Sequence, residues 1–195
     1  PLPAQLQVVG SATLTDTVAT TGASFRVRVL GGDGLPLRDA EVRFTAVGVT
    51  LDSTSARSDA QGEASVRFRL PNLVGTYGVT AAPARGSGSA ALTVIAVPDS
   101  AVAARVTGVT PPSVRAGDSL PQLSVGAVDR FGNAVPTFAD TVRATLVDTA
   151  GQPLGSAVAR VPAGGVASFV GLRPLTAAPR ALVELRAGAL PPVRS

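Results

Sequence analysis

Short runs of alternating apolar and polar residues recur along the whole chain, and most of them end at a cluster of Gly, Asp or Ser. In the run SFRVRVL, Phe25, Val27 and Val29 alternate with two arginines. This period of two places apolar side chains on one face of a strand and charged side chains on the other. AEVRFTAV, ASVRFRL, YGVTA and ALTVIAV behave in the same way. The sequence therefore predicts an all-β protein made of short strands.

Composition supports this prediction. Hydrophobic residues make up 45% of the 195 residues, which is enough for a real core, although aromatic residues make up only 4%. The core is therefore expected to consist of Val, Leu and Ala, and Val favours strands. The 21 Gly and 16 Pro recur at short intervals and would interrupt any long helix, so we predict no helical segment.

Several residue types are missing, and their absence excludes whole classes of chemistry. The chain has no Cys, no His and no Lys. Disulfides, thiolate or imidazole metal sites, His general bases, Cys nucleophiles and Schiff bases are therefore ruled out. No glycine-rich phosphate loop precedes a predicted helix. We predict that the chain is not an enzyme, has no catalytic residues and binds no cofactor or metal.

The charge pattern argues against a nucleic-acid partner. All 17 basic residues are Arg, and they are scattered along a chain whose net charge is only +4. Nucleic-acid sites need a clustered basic stripe with stacking aromatic residues. No run of 18 apolar residues exists, so no membrane span is predicted. The first residues, PLPAQLQVVG, lack the features of a signal peptide, and we interpret the chain as a mature form or a piece of a longer protein.

The second half of the chain repeats the first. FRVRVLGGDGLPL aligns with LSVGAVDRFGNAV at an offset of 98 residues, which places Gly34 opposite Gly132. AQLQVV aligns with ARVTGV and EVRF with TVRA at 100, QGEASV with GGVASF at 103, and YGVTA with ALVEL at 104. This near-constant offset predicts two homologous domains, 1–98 and 99–195, with a boundary near VPDSA. The linker is short, so we expect the domains to lie end to end.

Three motifs carry a family resemblance. They are the turn between strands in VLGGDGLPLRDAEVRF and AVDRFGNAVP, the turn SDAQGEA with its counterpart VPAGGVA, and the segment GTYGVTA. In these motifs the chain resembles the bacterial immunoglobulin-like repeats of invasin/intimin-type surface proteins. The resemblance implies two tandem immunoglobulin-like β-sandwiches joined by a short linker. Such modules serve as spacers, adhesive tips, fibre subunits and enzyme appendages alike.

The stretch AVDRFGNAVP contains the candidates for a Ca²⁺ site, because hard cations take carboxylate and amide oxygens. Asp129, Asn133 and Asp140 could supply such ligands, although Ca²⁺ needs six or more oxygens. The alternative is a turn, in which Asp and Asn bond their own backbone and Gly adopts positive φ. We favour the turn. Arg130 and Phe131, which the first domain lacks, leave open a contact surface.

Two further positions have a chemical and a structural interpretation. Asp59 and Glu63 in SDAQGEA could form a carboxylate pair, but glycoside hydrolysis needs a cleft between the two carboxyls. We favour a turn here too. Tyr77 is the only Tyr of the chain. We predict that it packs at a corner of the sandwich, with its hydroxyl anchoring a loop.

The two domains differ at their ends. The first closes with the strand ALTVIAV, whereas ALVELRAG in the second is followed only by ALPPVRS. Two consecutive prolines cannot donate ladder hydrogen bonds, so the second sandwich is expected to lack a full final strand and to leave an open edge. Either the sequence is a piece of a longer repeat array, or another copy donates the strand, for instance its PAQLQVVG segment.

We predict a non-catalytic, extracellular structural module of a bacterial cell-surface protein or filament. Its expected partners are neighbouring repeats or copies of itself assembled head to tail. One alternative is an adhesive or carbohydrate-binding module, for which Phe131 and Phe138 are the only aromatic residues near a candidate loop. The other is an accessory domain of a secreted enzyme or a phage virion.

Overall fold

A computed structural model describes residues 2–108, 115–178 and 180–194. The chain divides into two compact units, unit 1 at Pro1–Pro98 and unit 2 at Asp99–Ser195. The described residues form strands and turns and contain no helix, as the spacing of Gly and Pro predicted. A membrane-crossing helix is accordingly not found among them.

Residues 2–98, the described part of unit 1, form nine strands in two sheets. The strands are β1 (Pro3–Val8), β2 (Thr13–Thr17), β3 (Thr21–Gly31), β4 (Glu41–Val47), β5 (Thr50–Leu51), β6 (Ser55–Arg57), β7 (Glu63–Arg69), β8 (Gly75–Pro83) and β9 (Ala90–Val97). One sheet has the order β1-β3-β7-β5 and the other β2-β9-β8-β4-β6. All pairs are antiparallel except β2 with β9, which is parallel. Four strands of one sheet facing a sheet centred on β4, β8 and β9 form an immunoglobulin-like sandwich.

The alternating pattern fills the core of unit 1 as predicted. Phe25, Val27 and Val29 of β3 are buried, while the arginines between them lie outside the core. Phe25 meets Phe44 of the opposite sheet edge to face, with ring centroids 6.2 Å apart at an interplanar angle of 78°. This T-shaped contact is the favoured geometry of an aromatic pair, and it joins the two sheets.

Tyr77 of β8 forms the corner that the sequence predicted. Its hydroxyl donates a hydrogen bond of 2.9 Å to the carbonyl oxygen of Leu73, four residues upstream. Its ring occupies the space in which a side chain at Gly48 would lie, since a Cβ there would be 2.3 Å from the ring. Gly48 also has a φ of 81°, so both the ring and the backbone require glycine at this position.

The described residues of unit 2 form seven strands. They are β10 (Ala103–Thr107), β11 (Leu123–Val128), β12 (Val142–Val147), β13 (Val158–Arg160), β14 (Val166–Phe169), β15 (Leu182–Ala187) and β16 (Val193–Arg194). The sheets have the orders β10-β11-β14 and β13-β12-β15-β16. Phe169, Leu123 and Leu185 are fully buried between them. The described residues of unit 2 contain no counterpart of β2 or β5.

The strand registers refine the predicted repeat. Leu6 lies opposite Val29 in unit 1, and Ala104 lies opposite Ala127 in unit 2. Because Val29 and Ala127 are equivalent at an offset of 98, Ala104 corresponds to Leu6. The offset of 100 that the sequence indicated for the first strand is therefore wrong by two residues. Two short segments of similar composition cannot be aligned reliably by pattern alone, whereas the hydrogen-bond ladder fixes the register.

The turn VPAGGVA differs in type from its counterpart SDAQGEA. Ala163 and Val166 exchange backbone hydrogen bonds of 2.9 and 3.2 Å around Gly164 and Gly165, which both have positive φ. This is a two-residue hairpin of the type that twists with its strands. It replaces a longer turn and keeps the strand that follows in register, since Ala167 and Ala64 remain equivalent and buried.

The substitution Tyr77→Phe removes one hydrogen bond and keeps the ring. We expect it to lower the free energy of unfolding by about 1 kcal/mol, the usual net value of such a bond. Urea titration followed by circular dichroism measures this change, since the chain has no Trp and no other Tyr as a probe. Tyr77→Leu, which also removes the ring over Gly48, should cost more. An unchanged midpoint for Tyr77→Phe would show that the corner contributes nothing.

Candidate functional site

The turn that follows β11 is held together by the carboxylate of Asp129, which is buried. Its Oδ1 accepts hydrogen bonds of 2.9 Å from the backbone N–H groups of Phe131 and Asn133. Its Oδ2 accepts one of 2.9 Å from the side-chain amide of Asn133 and one of 3.1 Å from the backbone N–H of Asp99. Both oxygens are thus occupied by donors, and the carboxylate is bound as an acceptor within its own turn.

The same local structure occurs at two other places in the chain. Asp59 Oδ1 accepts the N–H groups of the residues two and four positions later, both at 2.9 Å. Asp148 Oδ1 does the same at 2.8 Å. In all three turns the backbone of the Asp also pairs with the fifth residue, and a Gly at the fourth position has positive φ. We call this arrangement the Asp-x-x-Gly turn. It is a three-residue hairpin with a glycine bulge.

Unit 1 builds the equivalent of the Asp129 turn with a different residue. Gly31 stands at the position of Asp129, and the bridge Leu30–Pro36 matches the bridge Val128–Ala134. Asp33 Oδ1 accepts the N–H of Leu35 at 3.1 Å. A Cβ on Gly31 would lie 2.7 Å from this oxygen. The carboxylate of Asp33 therefore enters the turn from a position two residues after Gly31. It occupies the space that a side chain at position 31 would need.

The residues proposed for Ca²⁺ are not assembled into a metal site. Asn133 lies against Asp129, but its amide donates to the carboxylate. Asp140 lies elsewhere, with its carboxylate in the space beside Gly188, where a Cβ would be 2.2 Å away. The described residues contain no group of three or more acidic side chains able to hold a metal ion. The turn is the interpretation that the geometry supports.

Asp59 and Glu63 bind different partners. The Asp59 carboxylate is bound by its own turn, whereas Glu63 Oε1 accepts a hydrogen bond of 2.5 Å from Nη2 of Arg28. Arg26 lies 3.6 Å from the other Glu63 oxygen. Glu63 and Arg28 are directly opposite on neighbouring strands, so this is a cross-strand ion pair on the outer face of the sheet.

Arg130 contacts both the ring of Phe131 and Asp99, the first residue of unit 2. The guanidinium carbon of Arg130 lies 4.7 Å from the centre of the Phe131 ring, within the range of a cation–π contact. Arg130 Nε is 3.3 Å from Asp99 Oδ2. The arginine thus covers the ring. Phe138, the other aromatic residue considered for an adhesive loop, packs against the hydrophobic core of unit 2.

Sequence reasoning missed two features of unit 2. The first is the turn at Asp148, although DTAGQ shares the Asp-x-x-Gly spacing of DRFGN and DAQGE. The second is a charged cluster at β15 and β16. Glu184 accepts hydrogen bonds from Arg186 at 2.9 Å and from Arg194 at 2.6 and 2.8 Å. The hydrogen bond from Arg186 lowers the pKa of Glu184 most, and the bonds from Arg194 lower it further.

No protein-family model and no curated protein sequence matches the chain. Solved structures do match. The D0-D1 domain of intimin aligns over 97% of this chain and 96% of its own, at 18% identity and a TM-score of 0.38. The adhesin InvE of Yersinia pseudotuberculosis aligns over 97% and 57%, at 14% identity and 0.45. Invasin, described as a bacterial integrin-binding protein, aligns over 97% and 38%, at 19% identity and 0.45.

The chain therefore spans nearly all of the intimin domain pair but only part of the InvE and invasin chains. The family that the motifs resemble is present among these matches. By its own strand order and register, each unit is an immunoglobulin-like sandwich.

The substitution Asp129→Asn tests the turn. Burial alone would raise the pKa of Asp129, but the hydrogen bonds from Asn133, Asp99 and Phe131 lower it below the ordinary value. The carboxylate's contribution to the free energy of unfolding is thus fully present above the pKa of unfolded Asp, about 3.9. It is lost as the pH falls through the lower folded pKa. At neutral pH we expect Asp129→Asn to destabilise the protein by about 2 kcal/mol, since hydrogen bonds to a charged acceptor are lost.

Urea midpoints measured from pH 7 down to the acid limit check this expectation. The difference in urea midpoint between the native protein and Asp129→Asn should narrow as the pH falls below the pKa of the unfolded carboxyl. Asp118→Asn is the control, because it removes the same charge from an exposed position of the same unit. A gap that stays constant with pH, or equal effects of both substitutions, would contradict the assigned role of Asp129.

Proposed function

We propose that the chain is a non-catalytic structural module of a bacterial cell-surface protein or filament and works outside the cell. The observation that supports this proposal best is the state of its carboxylates. The carboxylates of Asp59 and Asp129, which the sequence marked as candidates for chemistry, accept backbone N–H groups within their own turns. The aromatic ring of Phe131 is covered by an arginine. These groups therefore stabilise turns, and we assign the mechanical function to the strands.

The topology of unit 1 suits a mechanical role. β2 lies near the start of the unit and β9 at its end, and the two pair in parallel from Thr13–Thr93 to Thr17–Val97. A force that pulls the two ends of the unit apart would act first on β1 and, once β1 has separated from β3, along β2 and β9. It would load the hydrogen bonds between them together in shear, instead of opening them one at a time.

The edge of β15 supports self-association or contact with a neighbouring repeat. In unit 1, β9 pairs with β8 along Gly75–Ala81. In unit 2, β16 pairs only with Glu184 and Leu185, in the register of the first two residues of β9. Val183 has no ladder partner on this side among the described residues. We propose that a strand from a neighbouring repeat of the same chain or from another copy completes this edge head to tail.

The donor suggested by the sequence, the segment around Pro3–Val8, forms β1 of its own unit. It pairs with β3, and the carbonyl oxygens of Pro3 and Ala4 accept hydrogen bonds from Ser87. Donation of this segment to another copy would require these bonds to break. A segment from a neighbouring repeat has no such requirement, so we place it first.

Replacing Ser195 with LTVIAV, the sequence 92–97 of β9, tests whether the edge of β15 accepts a strand. The added strand should continue β16 in register, place Leu, Val and Ala inward, and raise the midpoint of thermal unfolding. The control extension STSISV keeps the outward Thr, Ile and Val and places Ser at the three inward positions. If both extensions give the same midpoint as the native chain, β15 has no edge that accepts a strand.

Immunogold electron microscopy of the source cells tests the proposed function as a whole. Antibodies against the purified chain should label the outer surface of intact cells, on fibres or on a surface layer. Permeabilised cells should show no additional internal label. Label confined to the interior would overturn the proposal, whatever the state of the β15 edge.

A further inference from the structure

Folding brings together two pairs of arginines that lie far apart in the sequence. Arg26 and Arg28 belong to β3, and Arg67 and Arg69 belong to β7, its neighbour in the sheet. The residues that alternate with them are buried in the core. All four guanidinium groups therefore extend from the outer face of the β1-β3-β7-β5 sheet. We call these four residues the arginine stripe.

Each arginine of the stripe occupies its own level along the sheet. The levels follow from the strand register, which is Arg28–Glu63, Arg26–Ser65, Ser24–Arg67 and then Arg69. Successive levels are two residues apart, or roughly 7 Å. The stripe thus crosses from β3 to β7 and extends over roughly 20 Å. This length accommodates several units of a linear polymer.

The positive charge of the stripe is only partly neutralised. Glu63 accepts a hydrogen bond from Arg28 and lies 3.6 Å from Arg26, and 43% and 55% of these two arginine side chains remain exposed. Asp52 lies level with Arg67, to which its backbone is bonded. Neither arginine of β7 forms an ion pair within the described part of the chain. Two positive charges are therefore in excess on this face.

The sandwich itself does not require the stripe. The matching positions of unit 2 are uncharged, and they hold Ser124, Gly126 and Val170. The same sheet of unit 2 therefore forms without arginines at these levels. Because neighbouring arginines repel one another, the stripe opposes folding slightly, and a bound polyanion would remove this repulsion.

The groups around the stripe indicate which polyanion fits. The planar fork of arginine donates paired hydrogen bonds to a carboxylate. Its neighbours on the same face are Gln7, Ser24 and Ser65, whose amide and hydroxyl groups can bond the hydroxyls of a sugar. Single-stranded nucleic acids need aromatic rings on which their bases stack. The outward side chains of β1, β3 and β7 include no aromatic ring.

We propose that the arginine stripe binds a linear acidic polysaccharide, which runs from Arg28 to Arg69 with its carboxylates on the guanidinium groups. Such binding is electrostatic and weakens as salt is added. The surface belongs to unit 1 alone and does not include the edge of β15. Failure of this proposal would therefore leave the proposed function and the edge contact untouched.

Isothermal titration calorimetry with polygalacturonate, in which each sugar carries a carboxylate, tests the proposal at low salt. The native chain should bind. The double variant Arg67→Gln/Arg69→Gln should raise the Kd about tenfold, because two exposed ion pairs are lost. The control Arg43→Gln/Arg57→Gln removes the same charge from the outer face of the opposite sheet. It should leave the Kd nearly unchanged, and circular dichroism establishes that both variants are folded.

Nuclear magnetic resonance locates the site on the native chain without any variant. Addition of polygalacturonate should shift the amide resonances of residues 24–28 and 65–69 more than those of β4 and β8. No binding at low salt, or equal weakening by both double variants, would overturn the proposal. Equally tight binding of polyglutamate or single-stranded DNA would also overturn it, since the stripe would then respond to charge alone.

Discussion

The rest of the structure depends on the way in which a carboxylate satisfies the backbone of a tight turn. In each Asp-x-x-Gly turn the Asp oxygen accepts two N–H groups that the hairpin leaves without a ladder partner. The glycine then takes the positive φ that returns the chain to the next strand. Because a slip of one residue would turn the apolar side chains outward, these turns contribute directly to core formation. Asp129 extends the same bonding to Asp99, where unit 2 begins.

The two units are an internal comparison of what an immunoglobulin-like sandwich must keep and what it can change. The central strands are kept in register, as the burial of Val42 and Val142 and of Ala64 and Ala167 shows. The edges are not kept. Unit 1 has β2 and β5 at its margins and charged residues on β7, whereas the described residues of unit 2 have a two-residue β16 and an uncharged β14. Edges tolerate change because they do not fill the core, and they are also where another strand can add.

Much of the fold could be predicted from the sequence because alternation, Gly turns and the internal repeat report on the same local geometry. The burial of Phe25, Val27 and Val29 and the corner at Tyr77 follow from such patterns. The errors have equally local causes. The first strand of unit 2 was misaligned by two residues because a short Val-rich run fits several registers. The turn at Asp148 carries the same local signal as the two other turns, since DTAGQ has the Asp-x-x-Gly spacing.

The sequence by itself determined the all-β class, the two-fold repeat and the exclusion of Cys-, His- and Lys-based chemistry, since these depend on residue types and their period. Tertiary structure alone decided which oxygens of the candidate residues were available. Asp129, Asn133 and Asp140 are equally plausible ligands in the sequence, but folding joins the first two to each other and places the third beside Gly188. It also decided which strand edges are covered. The place of Asp140 and the neighbours of each strand edge are set by contacts between distant parts of the chain, and no local pattern encodes them.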